Sequence, residues 1–249
     1  MDKYVINGGG RLCGSVALQS AKNSVLPLFA ASILTDKRVI IRDAPNISDV
    51  TCMAQILREL GAEVRFSDGN VTIDSANASC HEISSALTKE LRSSVFMLGS
   101  LLTRFGRALI AYPGGCDIGL RPIDLHLNAL KRLGVSISER DGFIFCEGER
   151  LRGAEIELDF PSVGATENIL LAAVKAEGRT VISGAAKEPE IVDLQNFLNA
   201  MGAKVAGAGT DVIEAEGVRT LHGVVYRPMK DRIEAGTYLI AGAACGGEV

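Results

Sequence analysis

The chain has 249 residues, 47% of them hydrophobic and 22% charged, and a formal net charge of −4. These proportions fit a soluble globular protein of one large domain or two small ones. The negative balance, with no basic run and no RNP-like aromatic pattern, argues against nucleic acid as the main partner. The longest apolar stretch, "SVLPLFAASIL", is too short to span a bilayer. Only 5% of residues are aromatic and none is Trp, so the core is expected to be aliphatic and rich in alanine.

In chain order, the first segment "NGGGRLCG" matches neither GxGxxG nor a P-loop, and Gly8–Gly10 reads as a hairpin turn. A helix, "AKNSVLPLFAASILTDK", follows. Next come a strand and polar loop, "RVIIRDAPNISDV", and a helix ending in "LRELGAEV". The hairpin "AEVRFSDGNVTID" turns at Asp68-Gly69. The same order then recurs. "LRELGAEV" returns as "LKRLGVSI" (130–137) and "LNAMGAKV" (198–205), each with a Gly at the left-handed helix cap. "LRSSVFMLGSLLTRFG" and "ATENILLAAVKAEG" repeat the first helix. "RALIAYPGGCDIGLRPIDL" and "RTVISGAAKEPEIVDL" repeat the strand and loop. The unit is helix–strand–helix–strand–strand, with a further strand leading into each first helix. Three copies fill Ala21 to about Met229. "KDRIEAGTYLIAGAACGGEV" matches the first helix of a fourth.

Aligning the first helices puts Lys22, Arg92, Thr166 and Arg232 in register. The macrodipole disfavours cations at helix N-termini by ~0.3–1 kcal/mol. Three cations in that slot suggest an anion held between them and the backbone N–H groups, against solvated surface charge as the bland reading. Asn23 could orient a ligand or cap its helix. Ser162 or Thr166 reads as the cap of the third-unit helix. His126 reads as a helix residue with a structural bond, and "KEPEIVD" as a solvated helix start.

The six cysteines form no CxxC pair and the three histidines are scattered, so no zinc signature is present. Cys13, Cys52 and Cys146 lie in apolar surroundings and read as small core hydrophobes. Cys116 follows Pro113-Gly114-Gly115, with Arg121 five residues on. That setting can lower a thiol pKa, although local sequence alone favours a quiet loop cysteine.

The segments "AKNS" (21–24), "LRSS" (91–94), "PGGCDIGLRPIDLH" (113–126), "SVGATEN" (162–168), "EPEIVD" (188–193) and "YRPMKDRIEAGT" (226–237) resemble the UDP-N-acetylglucosamine enolpyruvyl transferases, over the whole chain and in order. The Cys loop followed by Arg-Pro-x-Asp-Leu-His separates them from their shikimate-pathway relatives. The resemblance implies an α/β (α+β) fold, an inside-out α/β barrel in which three repeated units form one complete domain over residues 22–229. Residues 1–21 would supply the first strands of a second domain, and residues 230–249 the start of its remainder, with most of that domain missing.

It further implies transfer of the enolpyruvyl group of phosphoenolpyruvate to the 3-hydroxyl of UDP-N-acetylglucosamine, with release of phosphate, in the bacterial cytoplasm. No cofactor, metal, nucleic acid or membrane is implied. By resemblance Cys116 is the proton donor and can form an adduct with phosphoenolpyruvate, with Lys22 as a second catalytic residue. Lys22, Asn23 and Arg121 would bind phosphoenolpyruvate. Arg92, Arg121, Pro122, Ile123, Asp124, Leu125, Ser162, Val163 and Gly164 would hold the sugar nucleotide. The general-base aspartate and a further arginine have no match here, so little or no turnover is expected of this chain. A non-catalytic UDP-sugar-binding or partner-binding remnant is the alternative.

Overall fold

A computed structural model describes residues 3–5, 7–114 and 122–249. The first unit runs through α1 (Lys22–Ser32), β1 (Val39–Ile41), α2 (Ser48–Glu59), β2 (Glu63–Ser67) and β3 (Asn70–Asp74). The second holds α3 (Ser85–Glu90), a 3-10 turn (Arg92–Phe96), α4 (Met97–Phe105), β4 (Arg107–Ala111), α5 (Asp124–Arg132), β5 (Ser136–Arg140) and β6 (Phe143–Glu147). The third holds β7 (Glu155–Glu157), α6 (Val163–Ala173), β8 (Arg179–Ser183), α7 (Pro189–Ala200), β9 (Lys204–Ala206) and β10 (Val212–Glu216). Then come β11 (Val225–Tyr226) and α8 (Arg232–Ala244).

The repeat read from sequence is visible bond by bond. Gly61, Gly134 and Gly202 have φ of +97°, +94° and +96°, a region that glycine alone enters freely. After each, a backbone N–H reaches back to close the helix: Ala62 to Leu57 O (2.9 Å), Val135 to Leu130 O (3.2 Å) and Ala203 to Leu198 O (3.0 Å). Gly61, Gly134 and Gly202 themselves donate to Arg58, Lys131 and Asn199, completing a Schellman motif three times. The loop after each first strand is pinned to the hairpin by Ala44 N–H to Gly69 O, Tyr112 N–H to Gly142 O and Ala185 N–H to Asp211 O.

The strands form three separate sheets, of orders β11-β1-β3-β2, β4-β6-β5 and β7-β8-β10-β9. The lead-in strand is β7 in the third unit, parallel to β8. In the second it shortens to a parallel bridge between Glu82 and Leu109. In the first the role falls to β11 from the far end of the body, Ile40 facing Val225. Unit three thus feeds back onto unit one and the three units close on themselves. No single closed sheet forms among the described residues.

The first helices lie inside this ring of sheets. Every residue of α1 from Ser24 to Ser32 is buried, and every residue of α6 from Ala165 to Ala173. A helix that is apolar all round has no solvent face to offer. Each fully buried Leu, Ile or Phe contributes about 1.5–3 kcal/mol. The core is aliphatic and alanine-rich, with Phe29 and Phe197 its largest side chains. Helices α4 and α6 meet most closely at Gly99, where an added Cβ would lie 2.4 Å from the Asn168 carbonyl.

The chain crosses out of the three-unit body twice, side by side. Ser20 bridges Lys230 antiparallel, Ala21 N–H donates to Met229 O, and Asp231 N–H donates to Gln19 O. Beyond the crossing, the chain near Leu12–Gly14 pairs with Glu248. Gly8–Gly10 forms no hairpin among the described residues: residues 7–10 are exposed and in no strand, glycines offering no side chains to pack. Helix α8 buries only Gly242 and exposes Leu239 and Ile240. No helix among the described residues is long and apolar enough to cross a membrane.

Candidate active site

Two groups of side chains gather where the helix N-termini point. The first lies between units two and three. The 3-10 turn opens on Arg92, whose Nη1 donates to Pro113 O at 3.2 Å. Gly114 N–H donates to Thr88 O. The chain returns at Pro122, which is exposed, and Asp124 and Leu125 open α5. Ser162 caps α6, its hydroxyl accepting from Ala165 N–H at 3.3 Å. Val163 and Gly164 form the first turn, and Gly164 lies against the His126 and Phe96 rings, where a Cβ would approach to 3.1 and 3.2 Å. The His126 ring links these segments, with Arg92 and Asp124 acting on it and Gly164 against it. Cys116 and Arg121 lie outside the described residues.

His126 is buried and bonded to Asn168, as its structural reading expects. Burial, then the Arg92 cation, lowers its pKa to about 4, and Asp124 opposes the shift. Thr166 is no first-turn residue. Helix α6 begins at Val163, so Thr166 sits one turn inside, donates to Ser162 O at 2.8 Å and accepts from Ala186 N–H at 3.1 Å.

The second group surrounds the crossing. Lys22 opens α1 and Asn23 follows it, exposed. The anion expected at the helix starts is present as protein carboxylate. Lys22 Nζ lies 2.9 Å from Asp49 Oδ2. Asp231 Oδ2 accepts from Lys22 N–H at 3.4 Å, while its Oδ1 accepts from Ile233 and Glu234 N–H at the start of α8. One carboxylate thus serves two helix dipoles. Arg232 holds Glu190 through Nε and Nη2.

"KEPEIVD" proves to be no solvated helix start. Glu190 is 2% exposed and Asp193 8%. Asp193 accepts from Tyr226 Oη at 2.6 Å, from Met229 N–H at 3.1 Å and from the Ser24 hydroxyl. These donors arrive from the far crossing, so charges that look solvated in local sequence are sequestered. Burial, then the Asp193 contact, pushes the Tyr226 hydroxyl pKa well up. Glu167 on α6 is buried nearby, its pKa raised by burial and then by Glu190 and Glu188.

Of the cysteines read as core, Cys52 and Cys146 are buried, with pKa values raised to about 11 and about 12 chiefly by burial. Cys13 is exposed, since it sits beyond the crossing and pairs only with the chain near Glu248. A surface cleft lies elsewhere, between the β1–α2 loop and the β2–β3 hairpin, lined by Asn46, Thr51, Arg58, Phe66 and Asn70. It contains none of the expected site residues.

Buried first helices ringed by three sheets, each sheet built around one copy of the repeat, define the enolpyruvyl transferase architecture. The enolpyruvyl transferase NikO from Streptomyces tendae superposes with a TM-score of 0.84 at 25% identity, covering 94% of this chain and 56% of that one. An EPSP synthase from Acinetobacter baumannii shares the fold with a TM-score of 0.70 at 20% identity, over 94% of this chain and 53% of that one. The family model described as EPSP synthase (3-phosphoshikimate 1-carboxyvinyltransferase) matches residues 6–249, and the chain belongs to that family. UDP-N-acetylglucosamine 1-carboxyvinyltransferase 2 of Caldanaerobacter subterraneus subsp. tengcongensis is 53% identical over 249 residues, 100% of this chain and 60% of that protein. UDP-N-acetylglucosamine 1-carboxyvinyltransferase 1 of Symbiobacterium thermophilum is 52% identical over 254 residues, 100% of this chain and 58% of that protein. The chain thus spans about three fifths of the length of these curated relatives.

Proposed function

We propose that the chain carries the sugar-nucleotide wall of an enzyme that moves the enolpyruvyl group of phosphoenolpyruvate to the 3-hydroxyl of UDP-N-acetylglucosamine, an early step of peptidoglycan synthesis in the bacterial cytoplasm. Identity of 53% along the whole chain to a relative bearing that name is the observation that carries the reading. The His126 ring, acted on by Arg92 and Asp124 and packed against Gly164, brings the starts of α5 and α6 together and supports it. Arg92 and the α6 N-terminus supply positive potential suited to a diphosphate. Residues 22–229 are read as one domain, and residues 1–21 and 230–249 as parts of a second that forms the other wall.

The reaction in this reading is addition followed by elimination. A proton goes to the methylene carbon of phosphoenolpyruvate, the sugar hydroxyl oxygen bonds to the adjacent carbon, and that hydroxyl gives up its proton. Loss of phosphate and of a methyl proton then restores the alkene. Cys116 is assigned as the first proton donor, and it can alternatively bond to phosphoenolpyruvate. Lys22, Asn23 and Arg121 bind that substrate, and Lys22 must release Asp49 to do so. Arg121 also serves the sugar nucleotide with Pro122, Ile123, Asp124 and Leu125. A general base taking the sugar hydroxyl proton typically contributes about 10²–10⁴-fold in such a step.

The test is calorimetric titration with UDP-N-acetylglucosamine, beside an assay of phosphate release from phosphoenolpyruvate. Saturable binding that weakens in Arg92→Ala supports the reading. No binding by the intact chain overturns it.

A further inference from the structure

We infer that Asn168 is a positioning residue that holds the His126 imidazole in its Nε2–H tautomer and so presents a neutral hydrogen-bond donor at the Ser162–Gly164 turn. Two backbone groups with fixed roles flank the Asn168 amide. Gly99 N–H can only donate, and it meets Asn168 Oδ1 at 2.7 Å. The Val95 carbonyl can only accept, and it meets Asn168 Nδ2 at 3.0 Å. The amide of Asn168 therefore has one permitted orientation.

The second proton of that Nδ2 faces His126 Nδ1 at 3.1 Å. An amide nitrogen offers protons and no lone pair, so Nδ1 must accept and the ring proton must sit on Nε2. Protonating both nitrogens would set an N–H against an NH2 in a buried space. Burial and the Arg92 cation oppose that charge, and Asp124 favours it less strongly. The side chain of Asn168 is fully buried, so water cannot replace either contact.

The other edge of the ring looks at the first turn of α6. An added Cβ at Gly164 would lie 3.1 Å from His126 Cε1 and 3.4 Å from Nε2. Glycine here lets the imidazole approach the turn that Ser162 caps. No described residue is recorded as taking the Nε2 proton. The donor is thus available to an acceptor oxygen of a ligand seated at the α6 N-terminus. That half of the inference rests on the sugar-nucleotide reading above; the tautomer half does not. An uncharged donor of this kind keeps its hydrogen bond through the neutral pH range, and Arg92 supplies the charge separately.

The test is multiple-bond 1H–15N NMR of the chain labelled with 15N-histidine. The protein has three histidines, so His81→Gln and His222→Gln assign the His126 signals by elimination. The expected result is an Nε2–H tautomer for His126 that does not titrate between about pH 8 and pH 5. In Asn168→Asp a carboxylate faces Nδ1, and the proton should move there while the ring becomes basic. An Nδ1–H tautomer in the unmodified chain, or an unchanged tautomer in a folded Asn168→Asp, overturns the positioning claim. If Asn168→Asp does not fold, the unmodified chain decides alone.

UDP-N-acetylglucosamine should then move the His126 Nε2 resonance, and Asn168→Asp should weaken its binding by up to about tenfold. Shifts at the Ser162–Gly164 amides without a shift at Nε2 overturn the ligand half while leaving the functional reading intact. No shift at either place overturns the functional reading with it, and the tautomer result then stands separately.

Discussion

The guanidinium of Arg232 grips the carboxylate of Glu190 twice, Nε to Oε1 at 3.0 Å and Nη2 to Oε2 at 3.2 Å, and so ties the first turn of α8 to α7. The partners are unequal: the Glu190 side chain is 3% exposed and that of Arg232 48%. Removing the cation strands a buried anion. Arg232→Ala should cost roughly 1–3 kcal/mol, below the range for a fully buried pair because the guanidinium is half solvated. Urea unfolding measures this. Glu190→Gln in the Arg232→Ala background should recover part of the loss, because it removes the stranded charge, and failure to recover any would show that the pair is not the cause.

Glu167 offers the opposite experiment. Both its carboxyl oxygens are buried without a hydrogen-bond partner among the described residues, and its pKa is raised by burial and then by Glu190 and Glu188. The folded chain keeps a proton that the unfolded chain releases near pH 4.5. The stability tied to that proton is complete below about pH 4.5 and is lost as pH rises through the folded-state value. Glu167→Met should therefore raise stability at neutral pH by about 1–3 kcal/mol. The advantage should shrink toward pH 4.5. Urea midpoints at several pH values test the sign, and an advantage that grows on acidification contradicts it.

Gly99 and Gly236 make a matched pair. A Cβ on Gly99 would meet the Asn168 backbone oxygen at 2.4 Å and its Oδ1 at 2.6 Å, forcing α4 from α6. Gly99→Ala should cost about 1–3 kcal/mol or more, read as a fall in Tm. Gly236 on α8 has nothing within 4 Å of that position, and Gly236→Ala should gain about 0.5–1 kcal/mol from helix propensity.

The thiols should sort by burial. Native-state alkylation followed by peptide mapping should label exposed Cys13 and Cys245 and spare buried Cys52 and Cys146, whose raised pKa values disfavour the thiolate. Labelling of Cys146 in the folded chain contradicts the packing described above.

Much of the fold was legible because it is written locally and three times over. The "LGAEV", "LGVSI" and "LNAMGAKV" segments each spell a helix stop, a left-handed glycine and a strand within eight residues, and each forms that motif. Asp68-Gly69 and Asp141-Gly142 turn their hairpins with positive φ, as their residue types require. The errors fall where distant chain decides. Asp193 looks solvated until Ser24, 169 residues away, and Tyr226, 33 residues away, are brought to it. Cys13 looks like core until the crossing carries it outside the three-unit body. A structural bond for His126 was readable, but its partner Asn168 was not, because the groups around that amide come from the 3-10 turn, α4, α5 and α6 together. Of the site, the residue types at the helix starts were readable, but their carboxylate partners Asp49, Glu190 and Asp231 were not.

The proposed sugar-nucleotide site consists of Arg92, Pro122–Leu125 and Ser162–Gly164. Amide NMR of the labelled protein, titrated with UDP-N-acetylglucosamine, tests it most directly. Saturable shifts are expected at Arg92, Asp124, Leu125, Val163 and Gly164, with the cleft around Arg58 and Phe66 silent. Shifts confined to that cleft, or none at saturating ligand, would contradict the account.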